Sequence, residues 1–396
     1  MRILTNAYES NVPKSNKVSQ GGTANFSRAL SNFLIEHHHK WIGLIIKPEK
    51  IKNPNLSLLF EKDGRSFWRL TFPKKRHLFK NTKNLSAIED FFKPTINLLS
   101  GFLGEIKPDV IFLNGAYLNP WIILKAGEKL NIPIVAKHPG IWKKELERNP
   151  KLYTENGLKN LLEMEQDFSK LSSYEIFLND WSRKVYQKEV FPVDNSRSEI
   201  ISLPITPVKN SRKKKQPNKK NYNIGVVARW DRIKNHEAVL ALAKLAEEKK
   251  LPWVFYSITS IPLTNARKQF KEDYKQYIQV EGSKNRQALN KFYKKMDLMI
   301  LPSHFDVSPH VVPEALFNGV PTLISPNVGW VSDYQRTGAK NWIIDFGNPE
   351  KVVKRILELK NKLIPEKLIK TLMQNSNPEY SLKKFLNVFK KIISKQ

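Results

Sequence analysis

The segment most informative about the fold is Phe305-Asp-Val-Ser-Pro-His-Val-Val-Pro-Glu-Ala-Leu-Phe-Asn-Gly-Val-Pro321. It carries two carboxylates, Asp306 and Glu314, eight positions apart. The apolar runs at 298–302 and 321–325 are typical of buried parallel strands, and Gly319 indicates the end of a short helix. The stretch therefore predicts a strand-to-helix crossing, which is where open α/β sheets bind their ligands.

The rest of the chain repeats this alternation of short apolar runs and helical patterns. Strands are predicted at 2–4, 41–46, 109–113, 134–136, 175–178, 223–228, 253–256, 277–280, 299–300, 322–324 and 342–345. Helices are predicted at 21–34, 86–104, 235–250, 350–374 and 380–394. Strands that alternate with helices indicate an α/β fold with doubly wound parallel sheets.

Residues 203–222 interrupt this pattern. They contain three prolines and the densest lysine run of the chain, with almost no apolar periodicity, which indicates a linker. A chain of 396 residues is also too long for one ordinary core. We therefore predict a Rossmann-like domain at 1–205, a basic linker at 206–222, a second Rossmann-like domain at 223–375, and a closing helix at 376–396 that packs back on the first domain. Two such domains predict a binding cleft between them.

The charge of the chain is unusual. Lysine and arginine number 67 against 37 aspartates and glutamates, for a formal net charge of +30. Such an excess attracts nucleic acid, anionic lipid head groups or phosphorylated substrates. A lysine-rich composition that only decorates the surface is the alternative.

The cellular location is predicted from what the sequence lacks. The chain has no cysteine, which excludes disulfides, thiolate zinc sites and cysteine nucleophiles and fits a reducing cytosol. The N-terminus runs directly into a short strand without a signal-peptide pattern, and no run of about 18 apolar residues occurs. We expect a cytoplasmic protein, with the inner face of the membrane as an alternative location.

A second motif follows the predicted strand at 223–228: Ala228-Arg-Trp-Asp-Arg-Ile-Lys-Asn-His236. Arg229 and Lys234 lie five positions apart on a loop that leads into a helix. A forked guanidinium and a compact ammonium at this place suit a diphosphate, and the helix N-terminus adds its amide dipoles. Two unrelated loop cations are the alternative, and the carboxylate stretch argues against it.

Together the two motifs resemble those of the family 4 retaining glycosyltransferases, which have the GT-B fold of two facing Rossmann-like domains. The segment 229–236 resembles the arginine–lysine loop of that family, and 306–321 resembles its carboxylate motif, normally two glutamates eight apart. The resemblance extends to Gly21-Gly22, His138 and the closing helix. Asp306 in place of a glutamate, Pro313 beside Glu314 and a glycine-poor segment at 327–333 are departures.

The resemblance implies roles for residues of the second domain. Arg229 and Lys234 would bind the donor diphosphate, and Glu314 would accept hydrogen bonds from the nucleotide ribose. Asp306 would bind hydroxyls of the transferred sugar. The turn whose amides face the phosphates would consist of Ser308, Pro309 and His310.

The resemblance also implies roles in the first domain, which would hold the acceptor. Gly21 and Gly22 would let the backbone approach the donor phosphates and the acceptor. His138 would act at the cleft, near the reacting sugar.

We expect no metal and no other cofactor. A departing diphosphate needs fixed positive charge, which Arg229 and Lys234 can supply. A bivalent metal usually asks for clustered carboxylates, whereas Asp306 and Asp333 are isolated in the sequence. The resemblance favours front-face attack, with the leaving phosphate acting as base.

These observations predict a retaining, metal-independent, hexosyltransferase-like enzyme of polysaccharide biosynthesis. It would move a sugar from a nucleotide diphosphate sugar to a carbohydrate or lipid-linked acceptor, with an anionic membrane surface as a further partner. Nucleic acid is not expected. The alternatives are a phosphorylase or synthase of the same fold and a non-catalytic polyanion-binding protein.

Two further features have alternative interpretations. The run His37-His-His39 indicates a polar turn rather than a metal site, since consecutive histidines cannot all face one ion. The basic segment 74–80 and the helix at 86–104 could lie on a membrane surface. We favour the alternative in which this helix packs on its own sheet.

Overall fold

The computed structural model describes residues 1–13, 22–75, 78–147, 154–207, 221–265 and 267–394. The chain divides into two compact units. Unit 1 comprises Met1–Pro204 and Pro378–Gln396, and unit 2 comprises Ile205–Asn377. Gly21 and the lysine run at 212–220 lie outside the described residues.

Unit 1 is built on an eight-stranded sheet. Its strands are β1 (Arg2–Asn6), β2 (Lys40–Glu49), β3 (Asn55–Lys62), β4 (Arg65–Pro73), β5 (Val110–Asn114), β6 (Ile134–His138), β7 (Tyr174–Phe177) and β8 (Ser198–Ile200). Their order is β3-β4-β2-β1-β5-β6-β7-β8. All neighbours are parallel except β3 and β4.

The antiparallel hairpin β3–β4 is absent from the sequence-based prediction. Asp63 and Gly64 turn it, with φ angles of 50° and 75°. This Asp-Gly pair is a strong hairpin signal because both positions of the tight turn need a positive φ. The half-buried, irregular pattern of β3 hides the strand from an analysis that relies on apolar runs.

The helices of unit 1 connect these strands. They are α1 (Gly22–Glu36), α2 (Leu78–Asn81), α3 (Leu85–Ile106), α4 (Leu118–Glu128), α5 (Trp142–Leu146), α6 (Glu155–Leu171) and α7 (Asp180–Glu189). The apolar face of α3, including Phe92 and Leu99, lies in one buried cluster with Leu70 and Phe72 of β4. The interpretation in which this helix packs on its own sheet is therefore confirmed.

Unit 2 is built on a smaller, wholly parallel sheet. Its strands are β9 (Tyr222–Val227), β10 (Trp253–Ile258), β11 (Ile278–Glu281), β12 (Leu298–Leu301) and β13 (Thr322–Ile324), in the order β11-β10-β9-β12-β13. Its helices are α8 (His236–Glu248), α9 (Lys268–Tyr277), α10 (Arg286–Lys295), α11 (Val311–Phe317), α12 (Val331–Arg336), α13 (Pro349–Leu359) and α14 (Glu366–Asn375).

Two predictions for unit 2 are wrong. The strand expected at 342–345 is instead the end of a short 3-10 helix, Lys340–Trp342, followed by a single bridge between Ile343 and Ile324. Pairing ends there because the Asp345 carboxylate accepts a hydrogen bond from Gly347 N and turns the chain. The helix expected at 350–374 is divided into α13 and α14, with Pro365 at the start of α14.

The last helix, α15 (Pro378–Ile393), belongs to unit 1 although it follows unit 2 in the chain. Phe385 lies with its ring centroid 4.9 Å from Phe26 of α1 and 5.8 Å from Phe112 of β5. Phe389 lies 5.4 Å from the same Phe112 ring. Buried aromatic contacts of this kind fasten the end of the chain to the first sheet.

Each sheet has one point at which the strand order reverses. In unit 1, β1 lies between β2 and β5, and in unit 2, β9 lies between β10 and β12. The strands that directly follow β1 and β9 in the chain lie on one side of them in the sheet. The strands that come later in the chain lie on the other side. A crevice forms at the carboxyl ends of such strands, and open α/β sheets bind ligands there.

Candidate active site

The two sequence motifs meet at the reversal point of the second sheet. The loop with Arg229 and Lys234 follows β9, and the loop with Asp306 follows β12, its neighbour in the sheet. Hydrogen bonds join the two loops. His304 N donates to Ile233 O at 2.8 Å, and Asn235 Nδ2 donates to Pro302 O at 3.1 Å.

Lys234 and Asp306 form an ion pair between these loops. The Lys234 Nζ lies 2.5 Å from Asp306 Oδ2, and the side chains are only 14 % and 18 % exposed. From the sequence, Lys234 is expected at the diphosphate and Asp306 at the sugar. The structure instead brings the ammonium and the carboxylate into direct contact.

The local backbone holds Lys234 in place. Lys234 ends a 3-10 helix, Arg232–Lys234, whose first turn is capped by the Asp231 carboxylate accepting from Ile233 N at 3.1 Å. Asn235 then adopts a left-handed conformation, with φ 55°, and its side chain accepts from Ala238 N at the start of α8. Asparagine tolerates this conformation better than most residues, which explains its place in the motif.

Hydrogen bonds to the main chain also hold Asp306 in place. Its N–H donates to Asn327 O at 3.2 Å, and its carbonyl accepts from Gly329 N at 2.9 Å. Asp306 also forms an isolated parallel bridge with Val328. The glycine-poor segment 327–333 thus holds the backbone of Asp306 in place.

Arg229 differs from Lys234 in its environment. Its side chain is 71 % exposed, and its guanidinium lies 3.8 Å from the Asp231 carboxylate. The backbone is fixed instead, because His236 Nε2 donates to Arg229 O at 2.8 Å. The candidate site therefore contains two different cations. Lys234 is held in an ion pair, whereas the side chain of Arg229 extends into solvent.

His236 is a positioning residue that the sequence analysis quoted without assigning a role. Its Nδ1 lies 3.0 Å from the Tyr274 hydroxyl, and Trp230 stacks on its ring at 4.6 Å. Burial lowers the pKa of His236, so the imidazole is neutral at pH 7 and its Nε2 proton is directed at the Arg229 carbonyl.

Glu314 lies in the first turn of α11, directly after Pro313, where a proline is tolerated. Its Oε2 accepts a hydrogen bond from the Tyr293 hydroxyl at 2.9 Å. Burial raises the pKa of Glu314, and the Tyr293 hydrogen bond and the Arg286 charge partly oppose this shift. Tyr293 is fully buried on α10 and escaped the sequence analysis, because no spacing rule connects residues on two separate helices.

The turn Ser308-Pro309-His310 connects the two carboxylates. Trp330, which is buried, donates its indole N–H to Pro309 O at 2.9 Å and so holds the turn. The Ser308 hydroxyl is inaccessible to solvent, and no hydrogen-bond partner for it occurs among the described residues. Trp330 is a second supporting residue that the sequence analysis missed.

The predicted residues of the first domain that the structure describes, Gly22 and His138, lie in unit 1. Gly22 is the first residue of α1, and Gly21 lies outside the described residues. His138 ends β6 and is 1 % exposed, with Nε2 3.0 Å from Glu175 Oε1 and its ring stacked on Phe177. His138 is therefore a buried residue held by Glu175 and Phe177, and its contact with the reacting sugar stays a prediction.

Among the described residues there is neither a metal-binding cluster nor a membrane-spanning helix. No group of three or more histidine, aspartate or glutamate side chains there has a geometry that could hold a metal ion. In the same part of the chain, none of the helices combines the length and the apolar character needed to cross a membrane.

Comparison with known proteins gives a family match for one part of the chain and a fold for the whole of it. Residues 207–373, which cover most of unit 2, match the model of the family described as glycosyl transferases group 1. No curated protein sequence matches the chain.

Three solved structures illustrate the fold. Sucrose-phosphate synthase from Thermosynechococcus elongatus is 14 % identical, with a TM-score of 0.71 over 100 % of this chain and 99 % of that one. The E. coli structure described as trehalose-6-phosphate bound with UDP-2-fluoro glucose is 12 % identical, with a TM-score of 0.66 over 99 % of both chains. Anabaena HepE in complex with UDP-glucose is 10 % identical, with a TM-score of 0.67 over 98 % of this chain and 99 % of that one.

Proposed function

We propose that this chain, which has the GT-B fold that its sequence predicted, is a glycosyltransferase that transfers a sugar from a nucleoside diphosphate sugar with retention of configuration and without a metal. The acceptor in this proposal is a carbohydrate or a lipid-linked carbohydrate. The observation that carries the proposal is the Lys234–Asp306 pair at the reversal point of the second sheet. Arg229 lies on the same loop as Lys234, and Glu314 lies in the first turn of the helix that follows Asp306.

The two cations suit the leaving group. When the bond between the sugar and the phosphate breaks, negative charge develops on the departing diphosphate, and fixed cations lower the barrier most when they are already in place. Lys234 is held by the turn that contains it, so it needs little reorganisation. Arg229 has an exposed side chain and can close on the phosphates after they bind.

The carboxylates suit the hydroxyl groups of the donor. Glu314 would accept hydrogen bonds from the ribose, and the Tyr293 hydroxyl leaves one of its oxygens free for this purpose. Asp306 would accept a hydrogen bond from the transferred sugar, although its carboxylate also contacts Lys234. The turn Ser308-Pro309-His310, supported by Trp330, would lie against the phosphates.

The donor set supports the proposed independence of metal. A bivalent cation at a diphosphate prefers several carboxylate oxygens, whereas Asp306 is already paired with an ammonium. The resemblance to family 4 supports retention by front-face attack, with the leaving phosphate accepting the proton of the acceptor hydroxyl.

UDP-sugars are the first donors to test. Two of the compared structures, those from E. coli and Anabaena, are described with UDP-2-fluoro glucose and UDP-glucose. An anionic membrane surface is a further proposed partner, supported by the net charge of +30.

A thermal-shift panel of UDP, GDP and ADP, each with magnesium or with EDTA, tests the proposal. We expect one nucleoside diphosphate to stabilise the protein equally under both conditions, by about 2.7 kcal/mol at a concentration of roughly 100 times Kd. Lys234→Ala should weaken this binding at least about tenfold, since hydrogen bonds to charged groups contribute roughly 1.5–3 kcal/mol. Lys244→Ala is the matched control, because Lys244 is also paired with an aspartate in unit 2.

Other outcomes would overturn the proposal. A stabilisation that requires magnesium would exclude the metal-free mechanism. No effect of any nucleoside diphosphate, together with steeply salt-dependent binding of DNA, would favour the polyanion-binding alternative. Release of a sugar phosphate from a glycoside by inorganic phosphate would favour a phosphorylase.

A further inference from the structure

A cavity in unit 1 lies at the amino ends of the strands, the edge of the sheet opposite to the crevice at the carboxyl ends. Its volume is about 310 Å³, and the residues that line it are Asn131, Pro133, Ser173, Tyr174, Ser196, Arg197, Lys391 and Ile392. We call it the Arg197 cavity. We propose that it binds the phosphate group of a phosphate ester, free in solution or in a lipid head group. The proposed function assigns no ligand to this cavity.

The position of the Arg197 cavity sets it apart from the crevice. Pro133, Ser173 and Arg197 directly precede β6, β7 and β8, which are parallel to one another. Open α/β sheets bind their substrates at the carboxyl ends of such strands, so a ligand at the amino ends has another role. The last helix, α15, contributes Lys391 and Ile392 to the wall. A ligand in the cavity would therefore contact both the sheet and this helix.

Lys391 supplies one positive charge. Its Nζ donates to the Tyr174 hydroxyl at 3.2 Å and lies 4.8 Å from the centroid of that ring. Tyr174 is uncharged, and no carboxylate among the described residues forms an ion pair with Lys391. An ammonium has three N–H donors, so Lys391 can bind an anion and keep this contact. The Tyr174 hydroxyl accepts from Lys391 and can donate its own proton to a phosphate oxygen.

Arg197 supplies a second positive charge. Its Nη1 donates at 3.4 Å to the carbonyl of Ser172, the residue that caps the end of α6, and its Nε lies 3.5 Å from Asp194 Oδ2. The side chain is nevertheless 48 % exposed. The contacts recorded among the described residues orient the guanidinium and leave its Nη2 for a ligand. Paired N–H groups of a guanidinium match the oxygens of a phosphate.

The balance of charge at the cavity favours an anion. Asp194 is half exposed, and it also accepts a hydrogen bond from Ser196 N at 2.8 Å within its own turn. One carboxylate therefore faces two cations. Ser173 Oγ accepts from Ile134 N at 3.2 Å, so this hydroxyl can donate its proton to a ligand. Such a set of donors with an excess positive charge suits a phosphate better than an uncharged molecule or a cation.

The size of the cavity indicates an ester rather than inorganic phosphate. A volume of about 310 Å³ lies in the range of cavities that hold small organic ligands. Pro133 and Ile392 are buried and, with the ring of Tyr174, give the wall an apolar part. The organic part of the ester would pack there while its phosphate contacts Arg197 and Lys391.

A thermal-shift titration of the full chain with glycerol 3-phosphate tests the soluble source. Glycerol is the uncharged reference, and sodium chloride keeps the ionic strength constant. We expect saturable stabilisation by glycerol 3-phosphate and none by glycerol. Arg197→Gln and Lys391→Gln should each raise Kd at least about tenfold, because charge-assisted hydrogen bonds are lost. Lys383→Gln is the matched control, since Lys383 is an exposed lysine of the same helix outside the cavity wall.

Flotation with vesicles of phosphatidylcholine and phosphatidylglycerol tests the lipid source in the same four proteins. Vesicle binding that weakens at least about tenfold in Arg197→Gln and Lys391→Gln, but not in Lys383→Gln, assigns the phosphate to a lipid head group. The same pattern with glycerol 3-phosphate assigns it to a soluble ester. Melting temperatures without ligand show that each variant is folded. If Arg197→Gln unfolds because the end of α6 loses its contact, Lys391→Gln decides.

The Arg197 cavity is not a phosphate site if neither probe binds, or if the cavity variants bind both probes as well as Lys383→Gln does. In that case Arg197 and Lys391 only hold the ends of their helices. The proposed function is tested separately, because its nucleotide-binding residues lie in unit 2 and both cavity variants should keep the stabilisation by a nucleoside diphosphate. Absence of that stabilisation in the unchanged protein would overturn the proposed function alone.

Discussion

At the scale of single residues, the two carboxylates of the 305–321 stretch have different partners. Asp306 is neutralised by Lys234, whereas Glu314 receives an uncharged hydrogen bond from Tyr293. The two carboxylates therefore differ in chemistry, because they have different neighbours. Glu314 is left as a hydrogen-bond acceptor whose protonation state depends on burial.

The raised pKa of Glu314 predicts a pH dependence of nucleotide binding. Lowering the pH through this raised pKa protonates the carboxylate and removes an acceptor for ribose hydroxyls, so affinity should fall at a higher pH than for an ordinary glutamate. Isothermal titration calorimetry with the stabilising nucleoside diphosphate, repeated across the acidic range, measures this.

Tyr293→Phe sharpens the test, because the lost hydrogen bond favours the ionised form of Glu314. Its removal raises the pKa of Glu314 further, so affinity in this variant should begin to fall at a still higher pH. Tyr277→Phe, on the same unit, is the matched control. Identical pH profiles for all three proteins would exclude an ionised Glu314 as a ligand of the ribose.

At the scale of elements, the site is a junction of two loops. The β9–α8 loop supplies Lys234, the β12–α11 loop supplies Asp306, and the ion pair spans them. In the proposed mechanism, the Asp306 carboxylate and the donor diphosphate contact the same Lys234 ammonium. We therefore expect donor phosphates to share or displace this contact.

Asp306→Asn should separate binding from transfer. Removing one negative charge beside Lys234 should tighten binding of a nucleoside diphosphate by about three- to tenfold, because the ammonium no longer has a competing anion. Transfer should slow, since a contact to the sugar is weakened. Calorimetry and product formation measure the two effects.

Asp273→Asn is the control for this change, because Asp273 forms a comparable pair with Lys244 in the same unit. Weaker nucleotide binding in Asp306→Asn would mean that the carboxylate mainly positions Lys234. In that case the idea of competition with the diphosphate is wrong.

At the scale of the whole molecule, the few charged residues of the candidate site do not account for the net charge of +30. The apolar face of α3, one candidate for membrane insertion, is buried in unit 1. Contact with a membrane would therefore depend on charge alone.

Sedimentation with lipid vesicles tests this. We expect binding to vesicles of phosphatidylcholine with phosphatidylglycerol and none to phosphatidylcholine alone. Raising the salt from about 0.1 M to 1 M, which shortens the Debye length from about 10 Å to 3 Å, should release the protein. Binding that persists at high salt, or that occurs on uncharged vesicles, would contradict a purely electrostatic contact.

Local patterns in the sequence were sufficient for most strands, for the α/β class and for the loops that carry Arg229, Lys234, Asp306 and Glu314. Apolar runs and turn residues act over a few positions, so they can be recognised without a partner. The same approach failed where an element is only half-buried, as in β3, or where one residue pairs alone, as at Ile343.

The sequence by itself determined which residue types follow each strand of this protein. Only the tertiary structure decided that Lys234 pairs with Asp306, that Tyr293 contacts Glu314, and that His138 is buried. The reason is that such contacts depend on which strands become neighbours and which faces the helices cover. These are outcomes of packing between segments far apart in the chain, and no local spacing encodes them.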